Sequence, residues 1–259
     1  MELDGKVAIV TGGTRGIGRA IAEIFLQHGS QVVINGRSKE KGAQAIAEIN
    51  RGNQVVFIQG DVSKKEDCES LVDQTVSQYG ALHILVNNAG GCPGFGMVGE
   101  MSDEAWLDTL DLNLNSAFFM TRRALKYLAP QRWGRIIHIS SVEGKQATKA
   151  AVSNYITTKH ALNGFSKAVA YEYATQGITS NAICPGAIET DVMMEQGPKS
   201  AAASGMSYEQ FKQNYADDAM IKRLNTVDEV AAMALLLASE VGGGITGATL
   251  AVDGGSSDY

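Results

Sequence analysis

Short apolar runs alternate with longer stretches of mixed polarity along most of this chain. The apolar runs cover residues 7–10, 32–34, 55–58, 84–86, 136–139, 181–184 and 249–252. Their continuous apolar character is typical of strands that helices cover on both faces. The stretches between them carry apolar residues at helical spacing, as at Ile17, Ile21, Ile24 and Phe25 before Gly29.

Strands that are separated by helices pair in parallel through right-handed crossovers. The pattern therefore predicts an α/β fold, with a Rossmann-type doubly wound sheet of seven parallel strands and helices on both faces. The chain has four prolines and no linker rich in Pro or Ser, so residues 1–259 are expected to form a single domain.

Residues 191–217 interrupt this regular alternation. The segment is too long for an ordinary connection, and it follows Cys184-Pro185-Gly186 at the carboxyl end of a predicted strand. Ligands of open α/β sheets bind outside that edge, so the segment is interpreted as a substrate lid. A plain surface excursion is the alternative interpretation.

Composition and charge narrow the classes of function. The chain has 259 residues, 44% of them hydrophobic, and a formal net charge of -6 without a run of Lys or Arg. This charge argues against nucleic-acid or anionic-membrane partners. No apolar stretch approaches the roughly 18 residues that span a bilayer, and the amino terminus lacks a signal segment. A soluble, cytoplasmic protein is expected, and its three scattered cysteines indicate reduced thiols without a metal site.

A glycine-rich turn lies between the first predicted strand and the first predicted helix. The turn reads Gly12-Gly13-Thr14-Arg15-Gly16-Ile17-Gly18. Glycines let the backbone approach a pyrophosphate, which the amino-terminal end of a helix attracts. A simple tight turn is the alternative for the glycines taken alone. Their strand–turn–helix context favours dinucleotide binding.

The end of the second predicted strand bears on the choice of cofactor. Proteins that prefer NAD place Asp or Glu there, and a carboxylate would repel a 2′-phosphate. This chain has Arg37 and Ser38 at that place, and an arginine binds phosphate bidentately. Arg15 is positioned to supply a second cation, so NADP(H) is predicted in preference to NAD(H). Two solvated surface arginines are the alternative.

Tyr155 and Lys159 lie four residues apart, on one face of a predicted helix. A nearby ammonium group favours the phenolate and lowers the tyrosine pKa from its usual value of about 10. Such a pair suits proton exchange with a carbonyl or alcohol oxygen, although the spacing often arises by chance. Ser140 and Ser141 follow a predicted strand and offer a hydroxyl for the substrate oxygen; the start of a loop is the alternative.

Asparagines occupy several positions near these candidates. Asn87 and Asn88 follow the fourth predicted strand directly, where their amides are suited to bracing strand ends through backbone hydrogen bonds. Asn113 lies in a predicted helical stretch, where helix propensity disfavours asparagine. A buried polar network is one reason for its presence, and a solvent-facing side chain is the other.

In this order and spacing, the motifs resemble the short-chain dehydrogenase/reductase family over nearly the whole chain. The matching segments are Thr11-Gly12-x-x-x-Gly16-x-Gly18, Gly60-Asp61-Val62, Asn87-Asn88-Ala89-Gly90, Asn113, Ser141, Tyr155-x-x-x-Lys159, Pro185-Gly186-x-x-x-Thr190 and Val252-Asp253-Gly254-Gly255. The resemblance implies an oxidoreductase that acts on CH–OH groups. It also implies that Ser141, rather than Ser140, joins Asn113, Tyr155 and Lys159 as the catalytic set.

The resemblance further implies contacts with the cofactor. Asp61 and Val62 would contact the adenine, and Lys159 would hold the nicotinamide ribose. Ile188 would bind the carboxamide through its backbone, and Asn113 would hold a water in a proton relay. The complete expected NADP(H)-binding set is Gly12, Thr14, Arg15, Gly16, Ile17, Gly18, Arg37, Ser38, Asp61, Val62, Asn88, Ala89, Gly90, Tyr155, Lys159, Pro185, Gly186, Ile188 and Thr190.

Residues 185–191 are most similar to the corresponding segment of 3-oxoacyl reductases. Arg132 lies near a basic position of carrier-protein reductases, whereas Gln176 stands where many of them have Arg. Flexible apolar side chains of the expected lid, Met193, Met194 and Met206, suit an irregular hydrophobic ligand. A ketone or secondary alcohol, such as a 3-oxoacyl thioester, is therefore the expected substrate.

Other functions stay open on these residues. One alternative is an NAD(H)-dependent secondary-alcohol, hydroxysteroid or sugar dehydrogenase, and another is a non-catalytic NADP(H)-binding protein. The resemblance also implies a homotetramer, in which the helix that carries Tyr155 and the preceding helix contact another subunit.

Overall fold

The computed structural model describes residues 2–257; residues 1, 258 and 259 of the predicted domain range lie outside the described residues. The strands are β1 Val7–Val10, β2 Gln31–Gly36, β3 Val55–Gln59, β4 Ile84–Asn87, β5 Gly134–Ile139, β6 Ile178–Pro185 and β7 Thr249–Val252. Within residues 2–257, these seven strands form one sheet in the order β3-β2-β1-β4-β5-β6-β7, and all neighbours are parallel. The predicted doubly wound α/β fold is confirmed for the described part of the chain.

Helices cover this sheet on both faces. They are α1 Gly16–Gln27, α2 Lys39–Ile49, α3 Lys65–Tyr79, α4 Asp103–Leu110, α5 Ser116–Gln131, α6 Ser153–Tyr173, α7 Asp191–Ala203, α8 Tyr208–Asp218 and α9 Val227–Ala238. The helices α1 and α9 pack against each other on one face, and α3 and α5 pack together on the opposite face. Among the described residues, none of these helices is both long enough and apolar enough to cross a membrane.

Alternate residues of β1 point into different hydrophobic cores. Ala8 and Val10 are fully buried with Phe25 of α1, whereas Ile9 is fully buried with Met120 of α5. Successive strand side chains point to opposite faces, so a strand that is covered on both faces must be apolar at every position. This arrangement explains the unbroken apolar runs in the sequence.

The segment 191–217 is built mainly from α7 and α8. A capping box begins α8: Ser207 Oγ accepts a hydrogen bond from the backbone N–H of Gln210 at 3.2 Å, and Gln210 Oε1 accepts one from Ser207 N–H at 2.9 Å. The two helices pack closely, because a Cβ added to Gly197 of α7 would lie 2.4 Å from the Tyr208 ring. Most of the segment is therefore ordered helix.

Candidate active site

A cavity of about 640 Å³ opens at the carboxyl edge of the sheet, where the loops after β1 to β6 meet. All the residues expected to bind the cofactor, from Gly12 to Thr190, line this cavity. They come from distant parts of the chain, and parallel strands bring them together because their carboxyl ends share one edge.

The glycine-rich loop has the backbone that close approach to a ligand requires. Gly12 and Gly16 have φ angles of +62° and +55°, a region that other residues rarely adopt. A Cβ on Gly18 would lie 2.4 Å from Asn88 Nδ2, so a side chain there would disrupt the contact between α1 and the end of β4. The loop leaves the amino-terminal end of α1 facing the cavity, as phosphate binding requires.

The asparagines after β4 support this edge in different ways. Asn88 Nδ2 donates to the carbonyl of Thr11 at 2.8 Å, and Thr11 Oγ1 accepts from the N–H groups of Asn88 and Ala89, both at 3.0 Å. The predicted backbone bracing is confirmed for Asn88. Asn87 instead bonds to side chains, with its Nδ2 3.2 Å from Thr121 Oγ1 and 3.2 Å from His138 Nδ1.

Cations cluster where β2 ends. Arg37 is exposed at the rim, and Ser38 caps α2 by accepting from the N–H of Lys41 at 3.2 Å. Lys41 lines the cavity although the sequence analysis did not name it. Helical spacing does not link it to Arg37, because Arg37 precedes the N-cap residue Ser38 of α2. Arg15 also lines the cavity, with its guanidinium donating to Glu195 of α7 at 2.8 Å.

Tyr155 lies near the start of α6, beside the end of β5. Burial raises its pKa, while a hydrogen bond from Ser141 acts in the opposite direction. The neighbouring Ser140 directs its hydroxyl elsewhere, to the carbonyl of Lys159 at 3.2 Å. Only Ser141 of these two serines therefore presents its hydroxyl to Tyr155.

Lys159 is buried one helical turn beyond Tyr155. Its Nζ donates to the carbonyl of Ile139 at 2.8 Å and lies 5.5 Å from the centroid of the Tyr155 ring. Burial lowers the pKa of Lys159 to about 8. The expected lowering of the Tyr155 pKa was wrong for this arrangement, because desolvation of the phenol outweighs the hydrogen bond from Ser141.

Asn113 lies in a π-helical turn, Asp111–Asn115, between α4 and α5. Its buried amide accepts from Gly91 N–H at 2.8 Å and donates to Gly91 O at 2.8 Å and Thr158 Oγ1 at 3.1 Å. The buried-network interpretation is confirmed, and the solvent-facing alternative is wrong. Such π turns are frequent at functional sites. Here the amide ties α6 to the loop after β4.

A second cavity, of about 780 Å³, adjoins the first beneath α7 and α8. Its apolar wall is formed by Phe95, Val152, Met193, Phe211 and Tyr215. Of the three methionines expected there, Met193 lines the cavity, whereas Met206 does not line it and Met194 is half exposed. The two cavities share the lining residues Gly91, Ser141, Tyr155, Gly186, Ile188 and Thr190.

The sequence analysis did not identify the acidic residues in and around the two cavities. Glu143 is buried in the wall of the second cavity, where it accepts from Thr148 N–H at 3.2 Å. Asp191 lines the first cavity and accepts from Gly16 N–H at 2.9 Å. Asp191 and Gly16 lie 175 residues apart, so no short spacing in the sequence predicts their contact.

The doubly wound sheet and the glycine-rich loop at the start of α1 define a dinucleotide-binding α/β protein. The profile of the short chain dehydrogenase family matches residues 6–201 of the chain. The chain belongs to this family, and it is an oxidoreductase that acts on hydroxyl or keto groups.

Similar proteins match over nearly their full length. A 3beta-hydroxysteroid dehydrogenase of Mediterraneibacter gnavus is 37% identical and is aligned over 100% of this chain and 97% of its own. A 3-oxoacyl-acyl-carrier-protein reductase of Aquifex aeolicus is 38% identical over 98% of each chain. A solved structure of an actinorhodin polyketide ketoreductase variant with NADPH has a TM-score of 0.93 and 34% identity over 98% of each chain.

Proposed function

We propose that this chain is an NADP(H)-dependent reductase of ketones, which in reverse oxidises secondary alcohols. One observation carries the proposal: Ser141 and Tyr155 line both cavities, at the junction where a cofactor and a substrate would meet. A site built only to bind NADP(H) has no need of these hydroxyls at that junction.

The first cavity fits a nicotinamide dinucleotide. Its glycine-rich loop and the start of α1 suit the pyrophosphate, and Asp61 and Val62 line the part expected to hold adenine. Arg37 and Lys41 line the cavity near the end of β2, which favours a 2′-phosphate. The similar ketoreductase with NADPH supports the same choice. The bound cofactor would supply a hydride to the carbonyl carbon.

Protein side chains would handle the proton. Tyr155 would donate its phenolic proton to the carbonyl oxygen, and its raised pKa keeps that proton in place at neutral pH. Ser141 would hydrogen-bond the same oxygen, and Lys159 would hold the nicotinamide ribose. Asn113 would fix the position of Lys159 relative to the loop after β4. It would also hold the water of a proton relay.

The substrate is an apolar ketone or its alcohol, with a 3-oxoacyl thioester as one candidate. The aromatic and methionine wall of the second cavity supports this choice. The segment 191–217 acts as the substrate lid of a single catalytic domain, because α7 and α8 supply Met193, Phe211 and Tyr215 to that wall. A steroid alcohol is the second candidate, because one similar protein is a 3beta-hydroxysteroid dehydrogenase.

Replacing Tyr155 by Phe tests the mechanism. We expect Tyr155→Phe to reduce kcat for NADPH-dependent ketone reduction by about 100-fold or more, because the general acid is lost. The Kd for NADPH should change little. Turnover is followed by NADPH oxidation across 3-oxoacyl thioesters, cyclic and aryl ketones, steroids and sugars, with NADH alongside.

Tyr171→Phe provides the matched control, because Tyr171 lies on the same helix and its side chain is 91% exposed. This variant should keep wild-type turnover. Undiminished turnover in Tyr155→Phe would refute the assigned role. A preference for NADH in the wild-type protein would refute the choice of cofactor.

A further inference from the structure

Two carboxylates of α7 reach across to the glycine-rich loop. Asp191 accepts a hydrogen bond from Gly16 N–H at 2.9 Å, and Glu195 Oε1 accepts one from Arg15 Nη1 at 2.8 Å. Asp191 and Glu195 are spaced i, i+4 and so lie on the same face of the helix. One face of the proposed lid is thus bound to consecutive residues of the phosphate loop.

These contacts occupy groups that are suited to an anionic cofactor. Gly16 N–H belongs to the first turn of α1, where unpaired amides attract phosphate. Arg15 is the cation of the loop itself. Its hydrogen bond holds the pKa of Glu195 below the usual range, and the charges of Arg15 and Lys41 add to the effect. Glu195 is therefore ionised at neutral pH, close to cations that line the cofactor cavity.

We propose that Glu195 is a specificity-determining residue that competes with the 2′-phosphate of NADP(H) for Arg15. NADP(H) binding exchanges the Arg15–Glu195 pair for an Arg15–phosphate pair and releases this hold on α7. NAD(H) has no 2′-phosphate, so it leaves the pair intact. The inference rests on the proposed function, because it takes NADP(H) to bind in the first cavity.

The charges and the exposure of the pair determine which partner prevails. The Arg15 and Glu195 side chains are 36% and 56% exposed, so solvent weakens their attraction. A phosphate monoester carries a charge of about -1.5 to -2 at neutral pH and offers three acceptor oxygens. It therefore outcompetes a carboxylate for the guanidinium. Glu195 reduces the affinity for NADP(H) modestly and links the 2′-phosphate to the position of the lid.

Asp191 is expected to act differently from Glu195. Its partner is a backbone amide at the start of α1, where the pyrophosphate common to both cofactors would bind. A change at Asp191 therefore affects NADP(H) and NAD(H) alike. Of these two carboxylates, only Glu195 distinguishes the cofactors, because its partner is the arginine side chain.

Replacing Glu195 by Gln tests this competition through cofactor binding. We expect Glu195→Gln to lower the Kd for NADPH about two- to fivefold, in line with an exposed ion pair, and to leave the Kd for NADH unchanged. The Kd values are measured by nicotinamide fluorescence. In an Arg15→Ala background, Glu195→Gln should have no effect on either Kd.

Glu209→Gln is the matched control, since Glu209 is an exposed acid of the neighbouring α8 that pairs with Lys212. It removes the same charge from the lid without touching Arg15. Equal changes of both Kd values in Glu195→Gln, or no change, would overturn the inference. If the wild-type chain does not bind NADPH, the proposed function and this inference are both refuted. If it binds NADPH but Glu195→Gln has no selective effect, only this inference is refuted.

Hydrogen exchange of α7 gives a second, independent readout. With saturating NADP⁺, the amides of residues 194–197 and 199–202 should exchange faster than with saturating NAD⁺, because one contact of the helix is lost. The difference should disappear in Glu195→Gln. Identical exchange of the wild-type protein with both cofactors would show that the 2′-phosphate does not release α7, and would overturn the inference.

Discussion

At the scale of single residues, the two arginines of the cofactor cavity differ in what holds them. Arg15 is paired with Glu195, whereas no carboxylate among residues 2–257 lies within ion-pair distance of Arg37. Arg37 is also exposed and follows the β2 strand end directly. It is therefore the cation that can bind a 2′-phosphate without giving up a partner.

Replacing Arg37 by Asp is expected to raise the Kd for NADPH by about tenfold or more. The change removes a charge-assisted hydrogen bond worth about 1.5–3 kcal/mol and places a repelling carboxylate beside the phosphate. The Kd for NADH should change much less, as measured by nicotinamide fluorescence. Arg51→Asp makes the same charge change at an exposed position after α2 and should alter neither Kd. Equal losses for both cofactors in Arg37→Asp would contradict the assignment.

At the scale of elements, the same capping motif serves helices with different surroundings. Thr226 Oγ1 accepts from Glu229 N–H at 3.2 Å at the start of α9, and Ser207 makes the equivalent contact in α8. Val230 and Leu237 bury α9 in the core with α1, whereas α8 packs mainly against α7. Loss of the cap in α9 should therefore weaken the whole fold, and loss of the cap in α8 should weaken only the proposed lid.

Thr226→Ala is expected to lower the free energy of unfolding by about 1 kcal/mol, because an N–H of the first turn of α9 loses its acceptor. Ser207→Ala should lower it by less, since α8 can open locally without global unfolding. Urea denaturation measures both values, and hydrogen exchange of α8 should increase only in Ser207→Ala. Equal losses of global stability in the two variants would show that α8 unfolds together with the core.

At the scale of the whole molecule, the outer face of α4 and α5 leaves apolar side chains uncovered. Phe118 is 40% exposed, and its ring contacts Phe119 and Phe165. Leu107 of α4 is 56% exposed. We propose that α5 and α6 form a subunit interface of a homotetramer, which would cover this surface.

Phe118→Glu tests the proposed assembly. In an interface between identical faces, the substitution buries a charge near its own copy, so the oligomer should dissociate. Light scattering should give a wild-type mass about four times the 27.4 kDa of one chain, and a lower mass for the variant. Val98→Glu, at a position that is 78% exposed outside these helices, should keep the wild-type mass. A monomeric wild-type protein would refute the proposal.

Much of the fold could be predicted because its signals are local. The runs at 7–10 and 249–252 match β1 and β7 residue for residue. An unbroken apolar run suits β1 because it is buried on both faces, whereas β7 is an edge strand whose side chains are partly exposed. The run at 181–184 covers only half of β6, which begins at Ile178. Sequence reasoning omitted Ser180 because polarity marks exposure locally, yet its hydroxyl is buried 3.1 Å from Ser166.

Local sequence likewise predicts one part of the candidate active site, and only the tertiary structure determines the rest. The residue types and short spacings of Tyr155, Lys159 and the glycine-rich loop were sufficient to nominate them, because a helix turn and a strand–turn–helix unit are local structures. Tertiary structure decided that Arg15 pairs with Glu195, 180 residues away, and that burial raises the Tyr155 pKa. Desolvation and long-range pairing depend on which distant segments pack together, and no short stretch of sequence contains that information.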